Sequence, residues 1–267
     1  MRHLLLIFLC IGLMRPAMAQ QQEKEMDLEL FLAVDVSRSM SPAELEIQRR
    51  GYASALSSPD VIDAISGGLL GRIALTYVEW AGDGSQQIIV PWTEVSTRDE
   101  AKAVAEQITA IPTSSLRRTS ISGALDYAAG AFEDNGYLGL RRVIDISGDG
   151  PNNQGRPVLE AREATLAQGI VINGLPLMTK DALSALWGID DLDVYYQRCV
   201  IGGPGAFVIP VRDWAQFADA VRRKLVQEIA TVSPFAEQVI KVQAAPPYDC
   251  MIGEKMWRKN RRYFEIP

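Results

Sequence analysis

Histidine is nearly absent from this sequence: among 267 residues there is one, His3. Cysteine is scarce, with three residues at positions 10, 199 and 250. The longest uninterrupted apolar run near the N-terminus, Leu4 to Leu13, is too short to cross a bilayer as a helix. No later stretch reaches the roughly eighteen apolar residues of a membrane-spanning helix, so a soluble mature protein is expected. A basic excess is also missing. Lys and Arg total 27 against 33 Asp and Glu, a formal charge of −6, which argues against nucleic acid as a partner. There is no Gly-rich loop ending in Lys-Ser/Thr for phosphates, no internal repeat and no low-complexity segment.

The N-terminus sharpens these absences. Arg2 and His3 precede the apolar run, and Ala17-Met18-Ala19 follows it with small residues at alternate positions. This is the pattern of a secretory signal, with cleavage expected after Ala19 and a secreted protein, periplasmic or extracellular, as the result. Cleavage would take Arg2, Arg15 and the one histidine, leaving a charge of −8. A Ser-His-Asp triad, a Cys-His pair and a histidine-ligated zinc site would then be impossible. Cys199 and Cys250 would remain. In an oxidising compartment an even pair suggests one disulfide, worth roughly 4 kcal/mol in the chain-entropy model. Two buried free thiols are the other reading.

Along the rest of the chain, residues 20–27 read as a polar tail. Leu28 to Val34 reads as a buried strand. Asp35-Val36-Ser37-Arg38-Ser39-Met40 follows, and then a strong helix start: Ser41 as N-cap, Pro42 at the first helical position and Glu44 closing a capping box. Arg72 to Trp80 and Gln86 to Trp92 read as a hairpin. Arg142 to Ile146, Ile170 to Leu177 and Ala206 to Val211 complete six expected strands. Helices are expected over 97–108, 120–132, 157–168 and 213–229. The tail beyond Ser233 reads as irregular. This alternation predicts an α/β sheet covered by helices on both faces. Ligands in such sheets bind beyond the carboxyl ends of the strands.

Three oxygen-rich loops then stand out. Asp35-x-Ser37-x-Ser39 leaves the first strand. Ser147-Gly148-Asp149-Gly150 leaves the fourth. Arg118-Thr119-Ser120-Ile121-Ser122-Gly123-Ala124-Leu125 enters a helix between them. If the two strands are neighbours, the loops converge. Carboxylates and hydroxyls are hard donors that suit Mg²⁺, or Mn²⁺ or Ca²⁺. Taken singly, the same residues also read as helix caps and an Asp-Gly turn. Of the other polar candidates, Asp145 reads as a polar strand end, and Glu79 and Asp83 as a strand end and its turn. The basic run Lys255 to Arg262 reads as a solvated tail or a contact for an acidic surface. Trp80, Trp92, Trp187 and Trp214 read as core or edge residues.

In order and setting, Asp35-x-Ser37-x-Ser39, Thr119 and Asp149-Gly150 resemble the metal-ion-dependent adhesion site of von Willebrand factor A domains. The Thr119 loop is similar to the family's Thr-x-Thr-Gly-x-Ala-Leu, from which Ile121 and Ser122 depart. Arg72-Ile73-Ala74-Leu75 is similar to its second strand. The resemblance spans about residues 28–230, with 231–267 as a C-terminal extension, and the wider pattern is similar to a secreted bacterial branch. It implies a doubly wound, mostly parallel six-stranded sheet with one antiparallel edge strand. Ser37 and Ser39 would ligate the metal directly, Asp35 and Asp149 directly or through water, and Thr119 in one state of the site. An open position would take an Asp or Glu of a partner protein. A metal-dependent hydrolase using a bound water, with Asp145, Asp149 or a lysine as base, is the enzymatic alternative. A structural protein with an incidental metal is the third reading.

Overall fold

Strand β1 (Lys24–Met26) is followed at once by β2 (Leu28–Asp35), which is buried at every position. In the computed structural model, residues 23–112, 114–179, 188–230 and 247–264 are described. The expected signal segment, 1–19, and Trp187 lie outside them. Helix α1 (Pro42–Leu56) begins as the sequence predicts. The Ser41 hydroxyl accepts from the Glu44 N–H, and the Glu44 carboxylate accepts from the Ser41 N–H at 2.8 Å. A cap of this kind contributes about 1 kcal/mol and fixes where the preceding loop must end. Then come α2 (Pro59–Ser66), β3 (Ile73–Trp80), β4 (Gln86–Val95), α3 (Arg98–Ala110) and α4 (Ile121–Gly130). They are followed by β5 (Tyr137–Gly139), β6 (Arg142–Gly148), α5 (Val158–Leu166) and β7 (Val171–Pro176). A short helix α6 (Leu192–Tyr195) runs into a π turn, Tyr196–Val200. The long α7 (Phe217–Ala230) and α8 (Ile252–Phe264) end the described chain.

The main sheet has the order β4-β3-β2-β6-β7. All its pairings are parallel except the β3–β4 hairpin at one edge. β2 therefore sits at the centre, and alternate side chains feed two cores. Leu28, Leu30, Leu32 and Val34 join Tyr52, Leu225 and the helices of one face. Phe31 and Ala33 join Leu125, Ile144 and Tyr195 on the other. Each fully buried Leu or Phe contributes on the order of 1.5–3 kcal/mol relative to exposure. Such a double-faced core explains the unbroken apolar run of β2.

Three sequence expectations need correction. Among the described residues the main sheet has five strands, not six. Residues 206–211 pair with the β7 edge as isolated bridges, Gly174 to Val208 and Leu177 to Val211, and not as a strand. Gly203 and Gly205 turn the chain with positive φ just before, and Pro210 has no N–H to donate. The last residues of the segment read as a polar tail, Lys24 to Asp27, enter the fold. β1 pairs with β5, and the Asp27 carboxylate accepts the Leu70 N–H at 2.9 Å. The stretch beyond Ser233 is also not irregular throughout, because α8 forms over 252–264. Among the described residues no helix is long and apolar enough to cross a membrane.

Candidate metal centre

β2 and β6 are parallel neighbours, with Val34 opposite Ser147. Their carboxyl ends therefore deliver two loops to one edge of the sheet. In the first loop the Ser37 N–H donates to Asp35 Oδ1 at 2.7 Å, a local Asx-type turn. The Ser37 and Ser39 hydroxyls are 2.9 Å apart. Across the sheet, Ser39 Oγ donates to Asp149 Oδ1 at 2.8 Å, and Ser37 Oγ lies 3.5 Å from the same oxygen. Asp35, Ser37, Ser39 and Asp149 are thus gathered in one cluster. Thr119 arrives on the third loop. That loop is fastened to the first by the Leu116 N–H donating to Val36 O at 2.9 Å. Thr119 is buried beside the cluster and shares a cleft with Ser37 and Ser39. Its backbone is held on both sides by Asn153, which accepts the Thr119 N–H at 3.0 Å and donates to Thr119 O at 2.9 Å.

The electrostatics of this cluster call for a positive charge. Asp35 is fully buried, and its carboxyl is pushed well above the usual carboxylate range, first by burial and then by the charge of Asp149. Two carboxylates this close repel in a medium that screens them poorly. Asp35 Oδ2 is buried and has no hydrogen-bond partner among the described residues. It abuts Gly148, where a Cβ would come within 2.9 Å of that oxygen and 2.8 Å of the Tyr196 hydroxyl, so only glycine leaves this space open. Among the described residues no three His, Cys, Asp or Glu side chains gather as metal ligands. The donors here are two carboxylates and hydroxyls, a set that fits a hard divalent cation and not a soft one.

The surroundings hold residues that the sequence did not single out. Asn152 is one: its Oδ1 accepts the Ser122 N–H at 3.0 Å, and its Nδ2 donates to Glu254 Oε1 of α8 at 2.8 Å. The Cys199–Cys250 disulfide, with Cα atoms 5.6 Å apart, ties the head of α8 to the π turn. Gly253 then packs against the Asn152 carbonyl, where a Cβ would be only 2.1 Å from the oxygen. Trp257 consequently lines the cleft with Ser37, Arg38, Ser39, Arg117, Arg118, Thr119 and Asn153. Asn152 and Asn153 directly follow the Ser147-Gly148-Asp149-Gly150 turn, which is the signal that could have found them; Trp257 lies within the basic run Lys255 to Arg262.

Asp145 sits differently from expectation, whereas Glu79 lies at the end of β3 as expected. Asp145 is no polar strand end. It is fully buried, with Oδ1 2.7 Å from Lys224 Nζ on α7, and Lys224 also pairs with Glu228. Glu79 is buried too, 2.6 Å from Arg49 Nε. Trp80 is fully buried in the core, Trp92 donates its Nε1–H to Ala131 O at 2.8 Å, and Trp214 donates its own to Glu44 Oε1 at 2.7 Å.

Residues 25–233 match the family described as "Protein of unknown function (DUF1194)". No curated protein matches the chain. Among solved structures, it is similar to proximal thread matrix protein 1 (PTMP1) from the mussel byssus. The TM-score is 0.56 at 12% identity, covering 78% of this chain and 49% of that one. A PTMP1 structure with a zinc-occupied MIDAS motif matches with a TM-score of 0.50 at 14% identity, over 75% and 46% of the two chains. The pilus adhesin SpaC from Lactobacillus rhamnosus GG matches with a TM-score of 0.54 at 13% identity, over 77% and 30%. The chain spans about half the length of PTMP1. The shared fold is that of von Willebrand factor A domains.

Proposed function

The chain belongs to the DUF1194 family, and from that premise we propose that its von Willebrand factor A-like domain is a protein-binding module of the cell envelope. Asp35, Ser37, Ser39, Thr119 and Asp149 hold a divalent cation there, Mg²⁺ or else Mn²⁺ or Ca²⁺. The bound cation supplies a bridge between these residues and an Asp or Glu of a partner protein.

The observation that carries this reading is the hydrogen bond from Ser39 Oγ to Asp149 Oδ1 at 2.8 Å. It joins the ends of two neighbouring strands with the buried Asp35 carboxylate beside it. Asp35 and Asp149 supply the negative charge, Ser37 and Ser39 supply neutral oxygens, and Asn153 holds the Thr119 backbone at the cleft. Two relatives in fold support the same use: PTMP1 has been solved with zinc in its MIDAS motif, and SpaC is a pilus adhesin. The Cys199–Cys250 disulfide supports export to an oxidising compartment, with residues 1–19 as the signal segment.

The hydrolytic alternative gains no observation. Asp145, one of its candidate bases, is enclosed with Lys224 in the core. The test is a pulldown from envelope extract with Mg²⁺ and with EDTA, using wild type and Asp35→Ala. The partner should be caught only by wild type with Mg²⁺; identical catches in all four conditions would overturn the proposal.

A further inference from the structure

The cleft over the candidate metal centre has a volume of about 290 Å³, near the lower end for ligand pockets. Its lining contains three arginines, Arg38, Arg117 and Arg118, and no acidic side chain. That is unexpected in a chain with formal charge −6. Arg118 is occupied: its guanidinium carbon lies 3.4 Å from the centroid of Trp257. It is held there by a backbone with φ of 77°, a left-handed conformation that a residue with a Cβ adopts only when its surroundings impose it. Arg38 and Arg117 are exposed, and neither makes an ion pair among the described residues. Beyond Trp257 the exposed Arg258 and Lys259 continue the positive charge along α8.

Unpaired arginines around a cation site would repel that cation unless something anionic completes them. One partner carboxylate at the metal leaves Arg38 and Arg117 unsatisfied. We infer that the cleft is a two-point receptor for an acidic peptide segment, with one carboxylate at the metal centre and a second held by Arg38 and Arg117 against the Trp257 wall. This rests on the proposed metal site for its first point. The second point belongs to side chains outside that site. Arginine suits it because its planar fork binds a carboxylate through two parallel hydrogen bonds. α8 and its disulfide serve this receptor by placing Trp257 and the basic helix beside the cleft.

The test uses the full mature chain and calorimetric titration with acetylated, amidated glycine peptides. One set carries a single Asp; the other carries two Asp separated by one, two or three glycines. Mn²⁺ binding is measured separately by electron paramagnetic resonance. In wild type with Mn²⁺, the best diacidic peptide should bind roughly tenfold more tightly than the monoacidic one, as one charge-assisted bidentate contact would give. In the Arg38→Ala/Arg117→Ala chain this advantage should vanish, while Mn²⁺ binds at least as tightly as in wild type, its two repelling charges gone, and the melting temperature stays unchanged. The charge-reversed Arg38→Glu/Arg117→Glu chain should prefer the monoacidic peptide. If Mn²⁺ and the monoacidic peptide bind but the second Asp adds nothing, the two-point receptor is overturned and the metal site stands. If Mn²⁺ does not bind, both readings fall.

Discussion

The guanidinium of Arg118 lies over the Trp257 ring, 3.4 Å from its centroid. A contact of this kind contributes about 0.5–1 kcal/mol at an exposed site. Its importance is positional. It joins the loop that carries Thr119 to a helix whose other attachments include Asn152–Glu254 and the Cys199–Cys250 disulfide. The candidate metal centre and the C-terminal helix therefore share one wall.

Metal should stabilise the folded chain. Cation at about 100 times its dissociation constant adds about 2.7 kcal/mol, which for a domain of this size raises the Tm by roughly 5–10 °C. Differential scanning fluorimetry with Mg²⁺ and EDTA reads this directly. Asp149→Asn should abolish the shift. Asp35→Asn should also abolish it, yet melt above wild type in EDTA, because it removes a buried carboxylate repelled by Asp149. An unaltered Mg²⁺ shift in both variants would disprove the ligand assignment.

Stability should fall as pH rises through neutrality. Lys224 is one cation facing two buried carboxylates, Asp145 and Glu228. Burial first, and then the charge of Asp145, push Glu228 from 4.5 up to about 7. Because the folded-state value is raised, the linked stability is fully present below about 4.5 and lost as pH passes through about 7. At about 1.4 kcal/mol per pH unit, the loss reaches about 3 kcal/mol above that range. Urea melts across this window measure it. Glu228→Gln should flatten the upper part of the profile; a variant with the wild-type slope would show that another group titrates.

The buried Arg49–Glu79 pair predicts strong non-additivity. Glu79→Leu alone strands the Arg49 charge and should cost about 3–5 kcal/mol. Arg49→Met in the same chain should recover most of it, since an apolar pair of similar volume replaces two desolvated charges. A double-mutant cycle by chemical denaturation gives the coupling, and additive single effects would contradict the pairing.

Breaking the disulfide should release α8 more than it unfolds the sheet. Cys199→Ser/Cys250→Ser is expected to lose about 2–4 kcal/mol. Amide exchange should rise over 252–260 while β2 and β6 keep their protection. Gly253→Ala should produce a similar local release with the disulfide intact, because its Cβ has no room beside the Asn152 carbonyl. Exchange confined to other segments would refute this anchoring.

Much of the frame was readable from the chain. The run Leu28 to Val34 announced a central strand, and Ser41, Pro42 and Glu44 announced the helix that follows. The sixth strand failed because glycines and Pro210 reduced a good apolar pattern to two bridges. Asp145 was misjudged, and the pairing of Glu79 at its strand end was missed, because each faces a cation from a distant helix, Lys224 and Arg49, which no local pattern displays.

The sequence by itself determined the chemistry of the Asp35 loop, since spacing, capping and donor hardness depend on residues a few positions apart. It also pointed to oxygen ligands, because that loop carries a carboxylate and two hydroxyls while the one histidine stands at position 3. Only the tertiary structure decided which loops meet. The parallel pairing of β2 with β6 brings Ser39 to Asp149, and the disulfide brings Trp257 to Arg118. Such adjacencies arise from burying whole faces of elements far apart in the chain, and that competition among packings is not written at any single position.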